Sequence, residues 1–510
     1  MSNAMQPLSR IGFKPVPLSS LSDAKPSSDV SVSGICNDSR LIEPGDAFLC
    51  MPRAATQADD FTRMAVERGA TAVITIAKRM GRAITIDLPS LQIPDMSAAG
   101  VMLRRLLGTE KFTIHCIGIT GTDGKTSIAW MLREALKHRL DKVWSTGTLG
   151  LIRDDSDISD IGNTTPSLIT SHHLIQQAMQ EKVDALVMEV SSHGIEQERI
   201  AALPINTAIW TNMGHDHLQD HGGFEAYSQL KERFVVQTVQ QGGIAICNAD
   251  NETIRNLMDK NGVPVHWYAH GLYAGDSDRP VDLTWEQELP GMVRFSYRGE
   301  EIRIEDIPAG EFHAENLAAV ALTLINRFGV KFNELPKLLD GISAPPGRMQ
   351  SLEIGRWQVF IDYAHTPEAL TRCLETARKL AHNRLMVVFG CGGDRDREKR
   401  PEMGHVAVTM ADCVWITSDN PRDEQPELIA SEIENGMPKP YPAEVHLKLD
   451  RKQAICDAID AMRPGDLLVI AGKGHEAYIE LAGHRTEWSD FDTAADCLHL
   501  KEDQRMRLCA

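Results

Sequence analysis

The stretch Gly118-Ile119-Thr120-Gly121-Thr122-Asp123-Gly124-Lys125-Thr126-Ser127 limits this chain more than any other. Residues 111–119 carry Phe112, Ile114, Cys116, Ile117 and Ile119, which predicts a buried strand. Ile128, Met131, Leu132, Ala135 and Leu136 then recur at helical spacing. A Gly-rich turn between a strand and a helix is the setting a phosphate-binding loop needs. Glycines let the backbone come close to an anion. The N–H groups and dipole of the helix start favour negative charge. Lys125 can neutralise outer phosphates and the Thr126 hydroxyl can ligate Mg²⁺. The spacing departs from the usual loop, because Ile119 stands where its first Gly would fall. The plainer alternative is a Gly-rich turn that closes an αβ unit.

A chain of 510 residues has room for about three domains. With 53 Lys and Arg against 71 Asp and Glu, the net charge is −18. Phosphate-backbone binding needs clustered cations, so a nucleic-acid partner is not expected. The ten cysteines form no Cys-x-x-Cys pair, and are expected as buried thiols in a reducing compartment rather than as a disulfide or zinc framework. No apolar run reaches membrane-spanning length and the start is not signal-like, so a cytoplasmic enzyme without membrane insertion is expected. Met1-Ser2-Asn3-Ala4 ahead of Met5 reads as an expression scar.

Residues 5–108 read as a small α/β domain. Residues 18–30 predict a loop, 47–51 and 72–76 strands, and 61–68 a helix. Asp38-Ser39-Arg40 fits a turn better than a ligand contact on its own terms. In residues 109–345, Asn163-Thr164-Thr165-Pro166 could bind an anion or cap the helix predicted over 168–179. A strand over 185–190 delivers Glu189 at its carboxyl end, where open α/β sheets bind ligands, and Ser191 follows. A second strand over 208–210 leads into His215, Asp216, His217, Asp220 and His221, a cluster without zinc spacing but compatible with a shared, oxygen-rich Mg²⁺ site. Lys231, on a predicted helix, reads alone as a solvated surface residue, and Asn316 as a base contact or a cap. Pro345-Pro346-Gly347-Arg348 marks a turn at a domain junction.

Residues 346–510 alternate strands and helices. Strands near 359–361, 385–389, 414–417 and 467–470 each end in a polar loop. Those loops hold Asp362, Arg395, Asp419-Asn420-Pro421-Arg422 and Gly472-Lys473-Gly474-His475-Glu476. Each alone is ordinary turn chemistry; four at one kind of edge describe a rim.

These segments, in this order from about Asp38 to about Glu476, resemble the Mur ligase family, ATP-dependent enzymes that build the bacterial cell-wall peptide. The resemblance implies an α/β, three-domain architecture with a central P-loop ATPase-like domain and a C-terminal Rossmann-like domain. Residues 5–108 would bind the UDP-linked substrate, 109–345 ATP, and 346–510 the amino acid. By resemblance, Gly121, Thr122, Asp123, Gly124, Lys125, Thr126, Ser127, Asn316 and Arg348 bind ATP, with Asp123 in place of the usual Asn. Thr126, Glu189, His217 and a carbamylated Lys231 hold Mg²⁺, and Lys125, Glu189, His217 and Lys231 are the catalytic set. Ser39, Thr164, Thr165, Ser191, Gln197 and Arg199 match residues that hold the UDP-muramyl substrate. His313 stands where Asn is more usual.

Asp419-Asn420-Pro421-Arg422 resembles the signature of ligases that select meso-diaminopimelate, whose free carboxylate a guanidinium fork can grip. Arg395, Asp419, Asn420, Arg422, Gly472 and Glu476 would form that site. The expected reaction joins meso-diaminopimelate to the D-glutamate γ-carboxylate of UDP-N-acetylmuramoyl-L-alanyl-D-glutamate through an acyl phosphate, catalysed by a monomer. The rivals are a lysine-adding or otherwise altered member of the family and a non-catalytic nucleotide-binding regulator.

Overall fold

The computed structural model describes residues 9–51, 55–80, 88–214, 223–271 and 280–509. The chain divides into two units, Met1–Leu283 with Ala319–Val330, and Thr284–Ala318 with Lys331–Ala510.

The first unit opens on a five-stranded sheet whose spatial order follows the chain: Arg10–Pro17, Ser31–Cys36, Asp46–Cys50, Ala72–Ile76 and Ser90–Ile93. Its first pair is antiparallel and the others parallel. The predicted strands at 47–51 and 72–76 are present, and the helix predicted at 61–68 begins earlier, as Ala55–Glu67. Residues 18–30 hold one short turn of 3₁₀ helix, Leu18–Ser20, and are otherwise loop. Asp95 caps the helix Met96–Leu107 by accepting from the Ala98 N–H, and Gly108 ends it with φ of +67°. Met96, Ala99, Met102 and Leu103 of this helix enter one core with Leu168 and Ile169 of the helix Leu168–Gln180. Each fully buried aliphatic side chain there contributes about 1.5–3 kcal/mol.

The sheet that positions the site has parallel neighbours in the order His266–His270, Ile244–Asn248, Thr207–Trp210, His115–Thr120, Ala185–Glu189 and Val143–Gly147. Its central strands Thr207–Trp210, His115–Thr120, Ala185–Glu189 and Val143–Gly147 are buried almost throughout, as strands of a parallel sheet covered on both faces are. The predicted 111–119 strand starts at His115; Phe112 packs at its edge instead. After Val143–Gly147 and Ala185–Glu189 on one side of His115–Thr120, the chain crosses to Thr207–Trp210 on the other. That reversal makes the carboxyl end of His115–Thr120 the switch point of the sheet, the crevice where such folds take ligands.

The second unit carries a sheet in the order Gln350–Ile354, Trp357–Asp362, Leu467–Ala471, Leu385–Phe389, Cys413–Ile416 and Glu444–Leu447. Only the first of these is antiparallel. Two apolar cores lie within this unit, one around Phe360, Val387 and Val469, the other around Val359, Val388 and Leu468. Consecutive residues of each strand enter different cores, as the strand's two-residue period requires.

Cys36, Cys50, Cys116, Cys247, Cys373, Cys391 and Cys413 are buried thiols, as expected. Burial pushes the Cys116 and Cys391 thiols up to about 12, which keeps them protonated at neutral pH. Cys456 and Cys497 correct the expectation for the full set: they form a disulfide between the helices Arg451–Ala461 and Asp490–Cys509. Packing of those helices brings together residues 41 apart, a proximity that cysteine spacing could not reveal.

Candidate active site

The loop after His115–Thr120 needs its glycines. Gly121 has φ of +150°, and a Cβ there would sit 1.8 Å from Thr211 Oγ1. Gly124 has φ of +83° and starts the helix Lys125–Lys137, whose first turn no side chain caps. The first-turn N–H groups of such a helix lack intrahelical partners and form an anion site. Lys125 Nζ donates to the carbonyls of Gly121 at 2.9 Å and Thr122 at 2.7 Å, tying the loop together. Thr211 and Asn212, from the end of the neighbouring strand, brace it from below. Asn212 Oδ1 accepts from the N–H groups of Thr122 and Asp123 at 3.0 and 2.8 Å, and Thr211 Oγ1 donates to the Asp123 carbonyl at 2.6 Å. Asp123 therefore serves the loop through its backbone, and the residue is exposed.

Glu189 is buried at the carboxyl end of Ala185–Glu189, beside the loop. Thr126 Oγ1 donates to Oε2 at 3.0 Å. Thr148 holds the same carboxylate through its N–H to Oε1 at 2.8 Å and its hydroxyl to Oε2 at 3.2 Å. Gly147 forms the wall behind: a Cβ there would meet Glu189 Oε1 at 2.1 Å. Carboxylate and hydroxyl oxygens in one buried cluster suit Mg²⁺ rather than a thiolate-loving metal. Gly147, Thr148, Thr211 and Asn212 escaped sequence reasoning. Only the loop chemistry of Thr211-Asn212 after an apolar run hinted at them.

The Thr164-Thr165 loop joins the same cluster. Thr165 Oγ1 donates to the Glu189 carbonyl at 3.0 Å, accepts from the Ser191 N–H at 2.8 Å and lies 3.1 Å from Ser191 Oγ. Thr164 Oγ1 lies 3.3 Å from Thr148 Oγ1. Ser167, not either threonine, caps the helix Leu168–Gln180, which removes the capping alternative for this pair. Arg199 Nη1 donates to the Thr165 carbonyl at 2.7 Å, and its Nε and Nη2 both donate to Gln197 Oε1. Thr164, Thr165, Ser191, Gln197 and Arg199 thus form one connected group at the edge where Glu189 emerges. Ser39 is buried in a turn closed by Asp38, whose Oδ1 accepts from the Arg40 N–H at 3.0 Å.

Lys231 corrects the expectation of a solvated lysine. It is fully buried in the helix Phe224–Gln240, with Nζ donating to Tyr227 Oη at 2.8 Å and 4.2 Å from that ring's centroid. Tyr227 Oη is 3.3 Å from Thr122 Oγ1, which also accepts from the Gly214 N–H at 2.9 Å. Through Tyr227 and Thr122, Lys231 is thus linked to the phosphate-type loop. His217 and the rest of the His/Asp cluster lie outside the described residues.

In the second unit, Asn316 lies inside the helix Glu311–Phe328 and is buried, which rules out a cap. His313, one turn earlier, is fully buried with neither ring nitrogen hydrogen-bonded, and burial holds its pKa down to about 3. Arg348 stacks over the Tyr363 ring, 4.7 Å from its centroid. Asp362, at the end of its strand, accepts from the N–H groups of Met349 and Ala364; burial raises its pKa against the opposing pull of Arg348.

The parallel strands of this unit put their polar loops at one edge. Gly472 has φ of +108° and lies under Asp419, whose Oδ2 would be 2.7 Å from an added Cβ. Asn420 Nδ2 donates to Glu476 Oε2 at 2.8 Å. Arg422, with φ of +53°, donates from its N–H to the Glu480 carbonyl and from Nη1 to the Gly393 carbonyl at 2.6 Å. Arg395 is exposed on the same Gly393 loop, its Cγ 3.7 Å from where a Gly392 Cβ would be. The structure therefore brings Asp419, Asn420, Gly472 and Glu476 into direct contact and sets Arg422 beside the loop that carries Arg395.

The switch-point loop suits phosphate and the Thr126–Glu189 cluster beside it suits a divalent cation; matches to known proteins show that this chain is an ATP-dependent amide ligase and belongs to the Mur ligase family. The Mur ligase middle domain matches residues 119–324, and the Mur ligase, glutamate ligase domain matches residues 347–474. The chain is 36% identical over 499 residues to the UDP-N-acetylmuramoyl-L-alanyl-D-glutamate–2,6-diaminopimelate ligase of Ectopseudomonas mendocina, covering 95% of this chain and 98% of that one. It is 34% identical over 482 residues to the ligase of the same name from Syntrophomonas wolfei, covering 93% and 96%. A solved structure of a ligase so named superposes with a TM-score of 0.69 at 27% identity, covering 96% of this chain and all of that one.

Proposed function

We propose that this chain joins meso-diaminopimelate to the γ-carboxylate of the D-glutamyl end of UDP-N-acetylmuramoyl-L-alanyl-D-glutamate. The Asp419–Arg422 loop, in contact with Gly472 and Glu476, carries the amino-acid half of this reading. The names of relatives that span almost the whole chain support the rest. The residue groups 5–108, 109–345 and 346–510 act as substrate, nucleotide and amino-acid domains of a cytoplasmic monomer. Among the described residues, no helix is long and apolar enough to cross a membrane.

The γ-carboxylate oxygen attacks the γ-phosphorus of ATP, ADP leaves, and an acyl phosphate forms. The diaminopimelate amine then attacks the acyl carbon, loses a proton and expels phosphate, so ATP, acid and amine become amide, ADP and phosphate. Positioning and charge neutralisation do this work, without a protein nucleophile. Lys125 exchanges its loop carbonyls for phosphate oxygens as nucleotide enters. Thr164, Thr165, Ser191, Gln197 and Arg199 orient the muramyl peptide beside Glu189. Thr126 and Glu189 fit Mg²⁺ as hard-oxygen donors, and His217 and Lys231 complete the proposed set. An ammonium at Lys231 would repel a cation, so it is the carbamate of Lys231 that joins that set. When bound, Mg²⁺ neutralises charge on the transferring phosphoryl oxygens. Arg422 Nη1 is fixed on Gly393, and the rest of its fork matches the second carboxylate of diaminopimelate.

The test is phosphate release and product mass with ATP, Mg²⁺, the UDP-muramyl dipeptide and either meso-diaminopimelate or lysine. Lengthened product with diaminopimelate and little with lysine is expected. Product with lysine alone would establish the altered-specificity ligase, and no product with any amino acid would leave the regulator.

A further inference from the structure

Lys473 is fully buried, and no part of the mechanism above uses it. Its Nζ donates to Asn420 Oδ1 at 3.0 Å and to Glu476 Oε2 at 3.0 Å, with the Tyr478 ring centroid 5.7 Å away. Asn420 Oδ1 also accepts from the Glu480 N–H at 2.9 Å. Two donors on that atom fix which end of the amide is oxygen, and so aim Nδ2 at Glu476 Oε2. One carboxylate oxygen of Glu476 is thereby held by two donors, while its side chain keeps 20% of its surface exposed. The other oxygen is left to face an incoming group, and an anionic oxygen held in one place is an acceptor for an ammonium.

The two loops are also tied at their base. Arg451, buried and paired bidentately with Asp490, donates to the carbonyls of Ser418 at 3.1 Å and Ala471 at 2.9 Å. Those carbonyls immediately precede Asp419 and Gly472. Arg451 thus fixes the spacing of the loops where they leave the sheet, and Lys473 fixes it where they meet ligand.

We propose that Lys473 is a positioning residue for amino-acid recognition: its buried ammonium clamps Asn420 to Glu476 so that the free oxygen of Glu476 receives an ammonium of the amino-acid substrate. Any substrate of this site must then offer a cationic amine to Glu476 as well as a carboxylate to Arg422. The inference rests on the proposed amino-acid site.

Steady-state kinetics of the full chain with diaminopimelate varied separate the two. Lys473→Met should raise KM for diaminopimelate at least tenfold, with KM for ATP and for the UDP-muramyl dipeptide within twofold. Lys473→Met added to Glu476→Gln should be no worse than Glu476→Gln alone, because the lysine acts through that carboxylate. If Lys473→Met fails to fold by circular dichroism, Lys473→Arg carries the test: it keeps the charge, alters the geometry, and should raise the same KM at least threefold. An unchanged diaminopimelate KM in the folded Lys473 variant, or additive losses in the double variant, would overturn the positioning role. An unchanged KM in Glu476→Gln would instead remove the amino-acid site on which the proposal stands.

Discussion

Gly147→Ala tests whether the wall behind Glu189 sets the geometry of the reaction. The added Cβ would lie 2.1 Å from Glu189 Oε1, 2.5 Å from Cδ and 2.6 Å from Cγ. Carbon and oxygen need roughly another ångström of separation, so the carboxylate must turn or shift by about that much. It now accepts from Thr126 Oγ1, Thr148 N and Thr148 Oγ1. A shift of that size breaks at least two of these bonds, and hydrogen bonds to a charged group are each worth about 1.5–3 kcal/mol. Water replaces part of the loss, which leaves about 3 kcal/mol at the site. At 1.36 kcal/mol per decade, that is about a hundredfold in kcat/KM. Overpacking costs a further 1–3 kcal/mol or so of fold stability. Coupled phosphate release across a Mg²⁺ titration is the assay, with thermal unfolding run alongside. Gly162→Ala, which meets nothing within 4 Å though its φ is +73°, controls for a generic glycine effect. A Gly147→Ala enzyme within threefold of the parent, at any Mg²⁺ concentration, would refute the role assigned to this wall.

Lys231→Ala should lose turnover and regain much of it in millimolar acetate or formate, which can supply the carboxylate that a carbamate would provide; a folded variant that no short acid rescues counts against carbamylation. Arg422→Ala should cut the preference for diaminopimelate over lysine by about tenfold to a hundredfold, the loss of a charge-assisted pair of about 1.5–3 kcal/mol, and an unchanged ratio in competition assays would dismiss Arg422 as the reader. His313 is neutral in the folded chain down to about pH 3 and protonates near 6.5 when unfolded, so the unfolded state binds the extra proton between those values. Stability from this group is therefore full above about pH 6.5 and declines as pH falls toward 3. His313→Leu gives up no hydrogen bond, since neither ring nitrogen makes one, and its thermal stability relative to the parent should improve steadily from pH 7 to pH 5. A pH-independent difference would contradict this.

Local chemistry made much of the chain readable. The run from Gly118 to Ser127 announced its strand, turn and helix because dihedral freedom, helix periodicity and charge are properties of neighbours in sequence. Glu189 at a strand end and the four polar loops of residues 346–510 were legible for the same reason. Tertiary packing alone decided the rest. Lys231 reads as a surface residue until the helix Phe224–Gln240 buries it against Tyr227. Gly147 and Thr148 carry no signal until parallel pairing of Val143–Gly147 with Ala185–Glu189 lays them against the carboxylate. Lys473 looks like a turn residue until two strand ends, far apart in the chain, close around it. Spacing reports what one element can do; which elements become neighbours depends on burying all their apolar faces at once.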